Sequence, residues 1–438
     1  MAPQSVVVVG AGQAGLETAA ALRGRGYEGR ITLVGDEPAG PCDRPPLSKG
    51  YLAGNVPAGD IALRPASFYA AQDIELLSGD KVASLDRERR TVLLESGLRL
   101  PYGALVLATG CRPRTLPVPG ASLTGVLTLR GLADAEDLRL RLSGPPRSVV
   151  VVGAGFIGLE VAATARGLGH EVTVVEAQPR ALARALTPQM SAHVVDGHRA
   201  QGVRVLLGRE VSALYGDAEG RVQVMELGDG ERIAADLVVV GVGVLPNTDL
   251  ALTADLVVGD GIVVDELLRT EDPDIYAVGD CARFPSPHAG RHLRLESVQN
   301  ATDQARCAAA GICGEPYAYT AVPWFWSEQF AMRLQMAGLT AGHDETVTVG
   351  DPEDGRFSVL CFRGGRLIGV ESVNRPADHG IARRLLTHGT DLPPAAAREP
   401  GFDLKKLPRT PAGSQNSPTS PTPSPSRSTT QERLSIHA

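Results

Sequence analysis

Gly10, Gly12 and Gly15 follow a run of valines, and Gly153, Gly155 and Gly158 follow another. A G-x-G-x-x-G triplet between a strand and a helix does phosphate chemistry without side chains. Its glycines permit a tight turn and let the backbone approach a pyrophosphate, which then meets the N–H groups of the helix start. The strand after the first triplet ends at Asp36 and Glu37, and the strand after the second ends at Glu176. Each acid is placed to accept from a ribose hydroxyl, so the motifs predict adenine dinucleotide binding, against the plainer reading of a glycine-rich turn with no ligand. A carboxylate at Glu176 repels a 2′-phosphate, which favours NADH and disfavours NADPH, although Arg180 close by could soften that preference. Two dinucleotide sites imply two cofactors, and hydride passing between a nicotinamide and a flavin accounts for both.

The elements that hold these residues are written twice. The octapeptide SVVVVGAG occupies positions 5–12 and recurs unchanged at 148–155. Each copy runs into a helical stretch, QAGLETAAALRGRG or FIGLEVAATARGLG, and then a second apolar strand, ITLVGDE or EVTVVEA. Between the copies lie LVLATG and the Pro/Arg-rich CRPRTLPVPG. After the second come DLVVVGVGVLPN and TEDPDIYAVGDCA, strands that close on glycines. From about Pro323 the pattern changes to strands and turns with a short helix at GIARRLLTHG, a third, α+β lobe. Residues 408–438 are Ser/Thr/Pro-rich, bury too little to offset ordering entropy, and are expected to be disordered.

The 438 residues suffice for two or three domains. With 43 basic and 50 acidic residues the net charge is −7, which argues against nucleic acid as a global partner. Only four of the basic residues are lysine, a bias that fits a GC-rich genome better than a function. No long uncharged apolar run crosses a membrane and no signal-peptide pattern opens the chain, so the cytoplasm is the expected location. The six cysteines include no CxxC pair; neither a metal site nor a redox disulfide pair is expected.

These motifs resemble the ferredoxin reductases of bacterial cytochrome P450 and Rieske dioxygenase systems, of the putidaredoxin reductase type. The chain is also similar to rubredoxin reductase and, more distantly, to apoptosis-inducing factor. The resemblance runs from about Val6 to Asp403 and rests on RPPLSKGYLAG, LVLATGCRPR, GFIGLEVAATA, PDIYAVGDCARF, ESVQNATDQAR and VPWFWSEQF. It implies two Rossmann-like domains and a C-terminal α+β interface domain, in a glutathione reductase-like architecture. FAD would bind residues 1–112 and 243–322, NADH residues 113–242, and residues 323–407 would form the interface domain. Hydride would pass from NADH to FAD, and single electrons to a small iron–sulfur ferredoxin that serves a cytochrome P450 or dioxygenase. A monomer or weak dimer is expected.

The same resemblance assigns roles. Asp36 would contact the FAD ribose, Arg130 the pyrophosphate region and Asp280 the ribitol or pyrophosphate side. Lys49 would sit beside the isoalloxazine, paired with Glu160. Val298 would present a backbone amide to the flavin pyrimidine edge, and Trp324 and Trp326 would line the edge where electrons leave. Ala14, Val82, Ala108, Thr109, Gly110 and Gly279 would join the cofactor-binding set, as would Phe156, Ile157 and Gly243.

The residues themselves leave alternatives open. Lys49 can also be read as a solvated helix residue, Glu160 as a dipole-stabilised acid matching Glu17 in the first copy, and Asp280 as the N-cap of the next helix, a reading compatible with its cofactor role. Trp324 and Trp326 read as core aromatics. Cys42 stands where relatives of this type carry an aromatic. It is either a bystander thiol or the redox cysteine of a flavin NADH oxidase or disulfide reductase. A redox-responsive binding protein is a further alternative. Arg306, Arg333, Arg383 and Arg384 could steer an acidic ferredoxin, or merely form a solvated face.

Overall fold

The computed structural model describes residues 2–407, so the Ser/Thr/Pro-rich tail lies outside the described residues. Both valine octapeptides form the central strand of a five-stranded, wholly parallel sheet. In the first, Ser5–Val9 lies between Arg30–Gly35 and Ala104–Leu107, with Ile74–Ser78 and Ile275–Ala277 at the edges. In the second, Ser148–Val152 lies between Glu171–Glu176 and Leu237–Val240, with Arg204–Leu207 and Val126–Thr128 outside. Strands covered on both faces need apolar side chains at every position, which is why Val6–Val9 and Val149–Val152 are unbroken valine and fully buried.

The internal repeat extends further than the sequence shows. Each unit inserts a three-stranded antiparallel sheet ahead of the fourth parallel strand counted from its valine octapeptide. These are Val82–Asp86, Thr91–Leu94 and Arg99–Pro101 in the first, and Val211–Gly216, Val222–Leu227 and Arg232–Ala234 in the second. Cys111–Pro113, leaving the first unit, pairs antiparallel with Val244–Pro246, which returns to it. A two-stranded hinge therefore carries the chain both ways between the units.

The C-terminal lobe is a five-stranded antiparallel sheet with Trp324–Gln329 at one edge, followed by Met332–Gly338, Arg366–Val373, Arg356–Arg363 and Glu345–Asp351. Helix Pro376–His388 covers it and stops at Gly389 in the left-handed conformation. Leu334, Met336, Phe357 and Val359 of this sheet share one hydrophobic cluster with Met190, Val194 and Leu159 of the second unit. The lobe is thus packed onto the second unit by its core side chains.

In both glycine turns the chain crosses too close for a side chain. A Cβ on Gly10 or Gly153, both at positive φ, would enter the carbonyl of Ala108 or Gly241 respectively. A Cβ on Gly15 or Gly158 would enter the carbonyl of Gly10 or Gly153. Gly24, at the end of the same helix as Gly15, faces open space. Gly15→Ala is therefore expected to destabilise by roughly 1–3 kcal/mol, and Gly24→Ala to be neutral or stabilising by up to about 1 kcal/mol. Thermal unfolding of the two variants distinguishes them.

Candidate functional site

The middle glycines differ from their neighbours in having space before them. Around an added Cβ at Gly12 the nearest atoms are the Arg44 guanidinium nitrogens at 4.0 Å, and at Gly155 the Gly241 carbonyl at 3.9 Å. Each loop is a cradle at the start of a helix, Gln13–Gly24 or Phe156–Gly167, and neither helix has a side chain capping its N-terminus. Exposed helix N–H groups and a vacant approach fit a pyrophosphate in each unit. Two partly buried arginines strengthen the fit in the first. Arg44 donates to Glu37 at 2.7 Å, Arg130 donates to Asp280 at 2.9 Å, and the Nε of both is buried without a partner. Arg44 was not among the residues singled out from the sequence. Its position at the head of RPPLSK, beside a proline that fixes the turn, is the signal that could have found it.

Asp280 occupies the short turn Gly279–Cys281 and is followed by the strand Ala282–Ser286, so it caps no helix. The next helix, Val298–Ile312, takes its cap from Ser297, which accepts from the Asn300 amide. Asp280 instead accepts from Arg130 and from the Cys111 thiol, at 2.9 and 3.3 Å. Gly110 lies against the Arg130 guanidinium, and a Cβ on Gly279 would meet Ala14 at 2.8 Å. Ala108 is buried beside them, while Thr109 donates to the Asn247 carbonyl at 2.6 Å. These residues converge where Gly10–Gly15, the Gly279 turn and the start of the Val298 helix meet. Val82 lies in the core of the first unit, 8% exposed.

The two acids at the strand ends are not equivalent. Gly10 donates to Val34 and Gly153 to Val175, which sets Gly35 opposite Glu176 and Asp36 opposite Ala177. Glu176 accepts from the amides of Ala154 and Gln178 at 2.7 and 2.8 Å, facing the glycine loop. In the first unit a Cβ at Gly35 would already crowd Ala11, so the acid moves one place on, to the exposed Asp36. Arg180 donates to the carbonyls of Ala183 and Leu186 at 2.7 Å each.

Lys49 and Glu160 meet. The PPLS segment is a short 3-10 turn rather than a solvated helix, and Lys49 leaves its end with only 20% of the side chain exposed. Its Nζ donates to Glu160 Oε2 at 2.8 Å. Glu160 is 2% exposed and accepts also from Ser48 at 2.5 Å and Ser327 at 2.7 Å. A stabilising helix dipole alone does not describe an acid so fully enclosed. Glu17, at the same offset in the first unit, pairs instead with Arg64 at 3.2 Å and Arg306 at 3.9 Å.

Trp324 and Trp326 are half-buried, with ring centroids 5.6 Å apart, and Trp324 packs against the core of the C-terminal lobe. Arg383 stacks over Trp324 at 4.4 Å, and His379 meets the same ring edge-on at 5.6 Å. Phe156, at the start of its helix, packs on Phe325, while Ile157 beside it is 46% exposed. A Cβ added at Gly243 would lie 3.7 Å from the Arg184 guanidinium. Of the other basic residues considered, Arg306 is occupied by Glu17 and Asp303, and Arg333 by Glu328. Cys42 is 8% exposed, and burial with the neighbouring Glu37 carboxylate pushes its thiol up to about 11. All six cysteines are free thiols.

The pyridine nucleotide-disulphide oxidoreductase model matches residues 4–305, and a reductase C-terminal model matches residues 324–408. The chain belongs to the pyridine nucleotide-disulphide oxidoreductase family. It is 50% identical over 401 residues to rhodocoxin reductase of Rhodococcus erythropolis, covering 92% of this chain and 93% of that one. The ferredoxin reductase for the CYP199A2 system from Rhodopseudomonas palustris superposes with TM-score 0.90 at 48% identity, over 92% and 99% of the two chains. Putidaredoxin reductase in its covalent complex with putidaredoxin gives TM-score 0.89 at 42% identity, over 92% and 98%.

His379 carries a pH dependence that can be measured. Burial, with Arg383 and Arg333 nearby, lowers its pKa from 6.5 to about 4. Above pH 6.5 both folded and unfolded forms are neutral there; between 6.5 and 4 only the unfolded form takes the proton, so stability falls as pH falls. His379→Gln is expected to lose less stability than the parent across that window, as read from thermal midpoints.

Proposed function

We propose that this protein is an FAD-containing ferredoxin reductase that takes electrons from NADH and delivers them to a small iron–sulfur ferredoxin. The observation that carries the reading is near full-length similarity to reductases named for such systems, together with two glycine cradles in one chain. FAD, when bound, accepts two electrons from NADH and releases them one at a time. The residues of this chain bind, orient and tune. The Gly10–Gly15 loop, Arg44 and Arg130 hold the FAD pyrophosphate, with Asp36 toward the ribose and Asp280 toward the ribitol side. Val298, first in its helix, offers an N–H to the flavin pyrimidine. The Gly153–Gly158 loop receives NADH, and Glu176 accepts from its 2′-hydroxyl. Lys49 places a positive charge where negative charge grows on reduction, and Glu160 balances that charge when the flavin is oxidised. Trp326 lines the edge from which electrons leave.

On this reading residues 1–112 and 243–322 form the FAD-binding domain, 113–242 the NAD-binding domain and 323–407 the interface domain. The hinge of Cys111–Pro113 against Val244–Pro246 supports those boundaries. Use of NADH as the electron donor is what a cytoplasmic location on this reading rests on; among the described residues no helix is long and apolar enough to cross a membrane. Oxidase or disulfide reductase chemistry at Cys42 is opposed by its raised pKa, because the nucleophile in such chemistry is the thiolate.

NADH-driven cytochrome c reduction, with and without a bacterial [2Fe-2S] ferredoxin, tests the assignment: strong stimulation by ferredoxin is expected, and Cys42→Ser should preserve it. Brisk oxygen consumption without stimulation, abolished in Cys42→Ser, would replace the assignment with the oxidase. Glu176→Gln should raise the NADPH-to-NADH ratio of kcat/KM by about tenfold, the effect of removing one charge–phosphate repulsion. An unchanged ratio refutes the role given to Glu176.

A further inference from the structure

The polar contacts of Glu160 do not stop at Ser327. Gln329 Nε2 donates to Ser327 Oγ at 3.0 Å, and Gln329 Oε1 lies 2.9 Å from His198 Nε2. Glu160 and Gln329 are each 2% exposed, and Ser327 and His198 are 0% exposed. Glu160 and His198 belong to two helices of the second unit, Phe156–Gly167 and Pro188–Ala200. Ser327 and Gln329 belong to the edge strand of the C-terminal sheet, two places apart and so on one face.

The direction of every hydrogen bond in this path is determined. An ionised carboxylate has no proton to give, so the Ser327 hydroxyl donates to Glu160. That hydroxyl has one hydrogen, so its contact with Gln329 is accepted from the amide NH2. The amide must then turn its oxygen toward His198. Oxygen only accepts, which requires a hydrogen on His198 Nε2. Its Nδ1 is buried with no acceptor for a second hydrogen, so the ring is the neutral Nε2–H tautomer. Burial lowers the pKa of His198, consistent with the neutral form.

We propose that His198 is a positioning residue for electron transfer. Its Nε2–H fixes the Gln329 amide, which holds the Ser327 hydroxyl on Glu160 and so holds that carboxylate in place against Lys49. The significance of Lys49 rests on the function proposed above; the directed path from His198 to Glu160 does not. Without the imidazole donor the amide is free to turn its NH2 outward. Ser327 then loses the partner that aims its hydroxyl, and Glu160 loses one of its donors. The carboxylate is then less firmly held, and the Lys49 charge is less balanced beside the flavin. Reduction would then become easier thermodynamically, while the geometry for NADH would be less well held.

The FAD-loaded protein and its variants His198→Leu, His198→Gln and Gln329→Leu test this. Leucine removes the donor, and glutamine returns an N–H near the Nε2 position. In ¹⁵N-histidine NMR the signal lost in His198→Leu should be a neutral Nε2–H tautomer at pH 7. The flavin midpoint potential of His198→Leu should move to more positive values, and single-turnover reduction by NADH should slow about five- to tenfold, the size of one hydrogen bond. His198→Gln should recover both, Gln329→Leu should reproduce the defect, and the double variant His198→Leu/Gln329→Leu should be no worse than either single change. An Nδ1–H tautomer, a cationic His198 at pH 7, an unmoved potential or additive defects would overturn the proposal. If His198→Leu fails to fold, Gln329→Leu and His198→Gln carry the same comparison. A protein that NADH does not reduce at all would refute the proposed function, and the tautomer would still decide the direction of the path.

Discussion

A single enclosed carboxylate sets the arrangement of the three lobes. Glu160 projects from a helix of the second unit, yet its donors come from elsewhere: Ser48 and Lys49 from the first unit, Ser327 from the C-terminal sheet. A buried charge left without donors costs several kcal/mol, on the order of 3–5 when one partner of a buried pair is removed. The lobes are therefore held in the one register that satisfies it. The surrounding contacts agree. Thr164 donates to the Ser48 carbonyl at 2.8 Å, and Phe156 packs against Phe325. Glu371 of the C-terminal sheet, fully buried, accepts from the amide and hydroxyl of Thr187 in the second unit. Burial raises the pKa of Glu371, as expected for an acid answered by neutral donors.

The duplicated unit shows how one framework carries two tasks. The glycine turns are superimposable in their crowding, since the same carbonyl approaches exclude a side chain in both. Divergence is confined to what touches the ligand side. Glu176 faces its own glycine loop, whereas Gly35 leaves that place empty and the first unit supplies Arg44 and Arg130 instead. Glu17 and Glu160 start from the same offset and end in opposite surroundings, one against surface arginines and the other in the interface between lobes.

The cysteines explain what the protein leaves to its cofactors. Cys111, Cys281, Cys307 and Cys361 are buried, and burial pushes each thiol upward. Cys42 is raised as well. A thiol held protonated neither attacks nor exchanges. The chain has no CxxC pair, and its six cysteines are free thiols.

Much of this was legible in the chain as written. Repeated valine runs force doubly covered parallel strands, and glycines at fixed spacing force the turns beneath them, because sterics and burial act within a few residues. The lone Lys49 in RPPLSK and the acid in GFIGLE could be named as partners only through resemblance. What joins them is a hydrogen bond across 111 positions, and no local rule spans that distance. The same holds for Asp280, which in sequence looks like a helix cap until Arg130 is brought 2.9 Å away. It holds for Arg44, whose guanidinium faces Gly12 only after the chain turns back at Pro45 and Pro46. The repeat and the glycine cradles could be read from the chain alone, since each depends on neighbours a few residues away. Only the tertiary structure decided which charges are answered, by whom and in which direction, because those donors come from separate lobes and the energy of a buried charge depends on all of them at once.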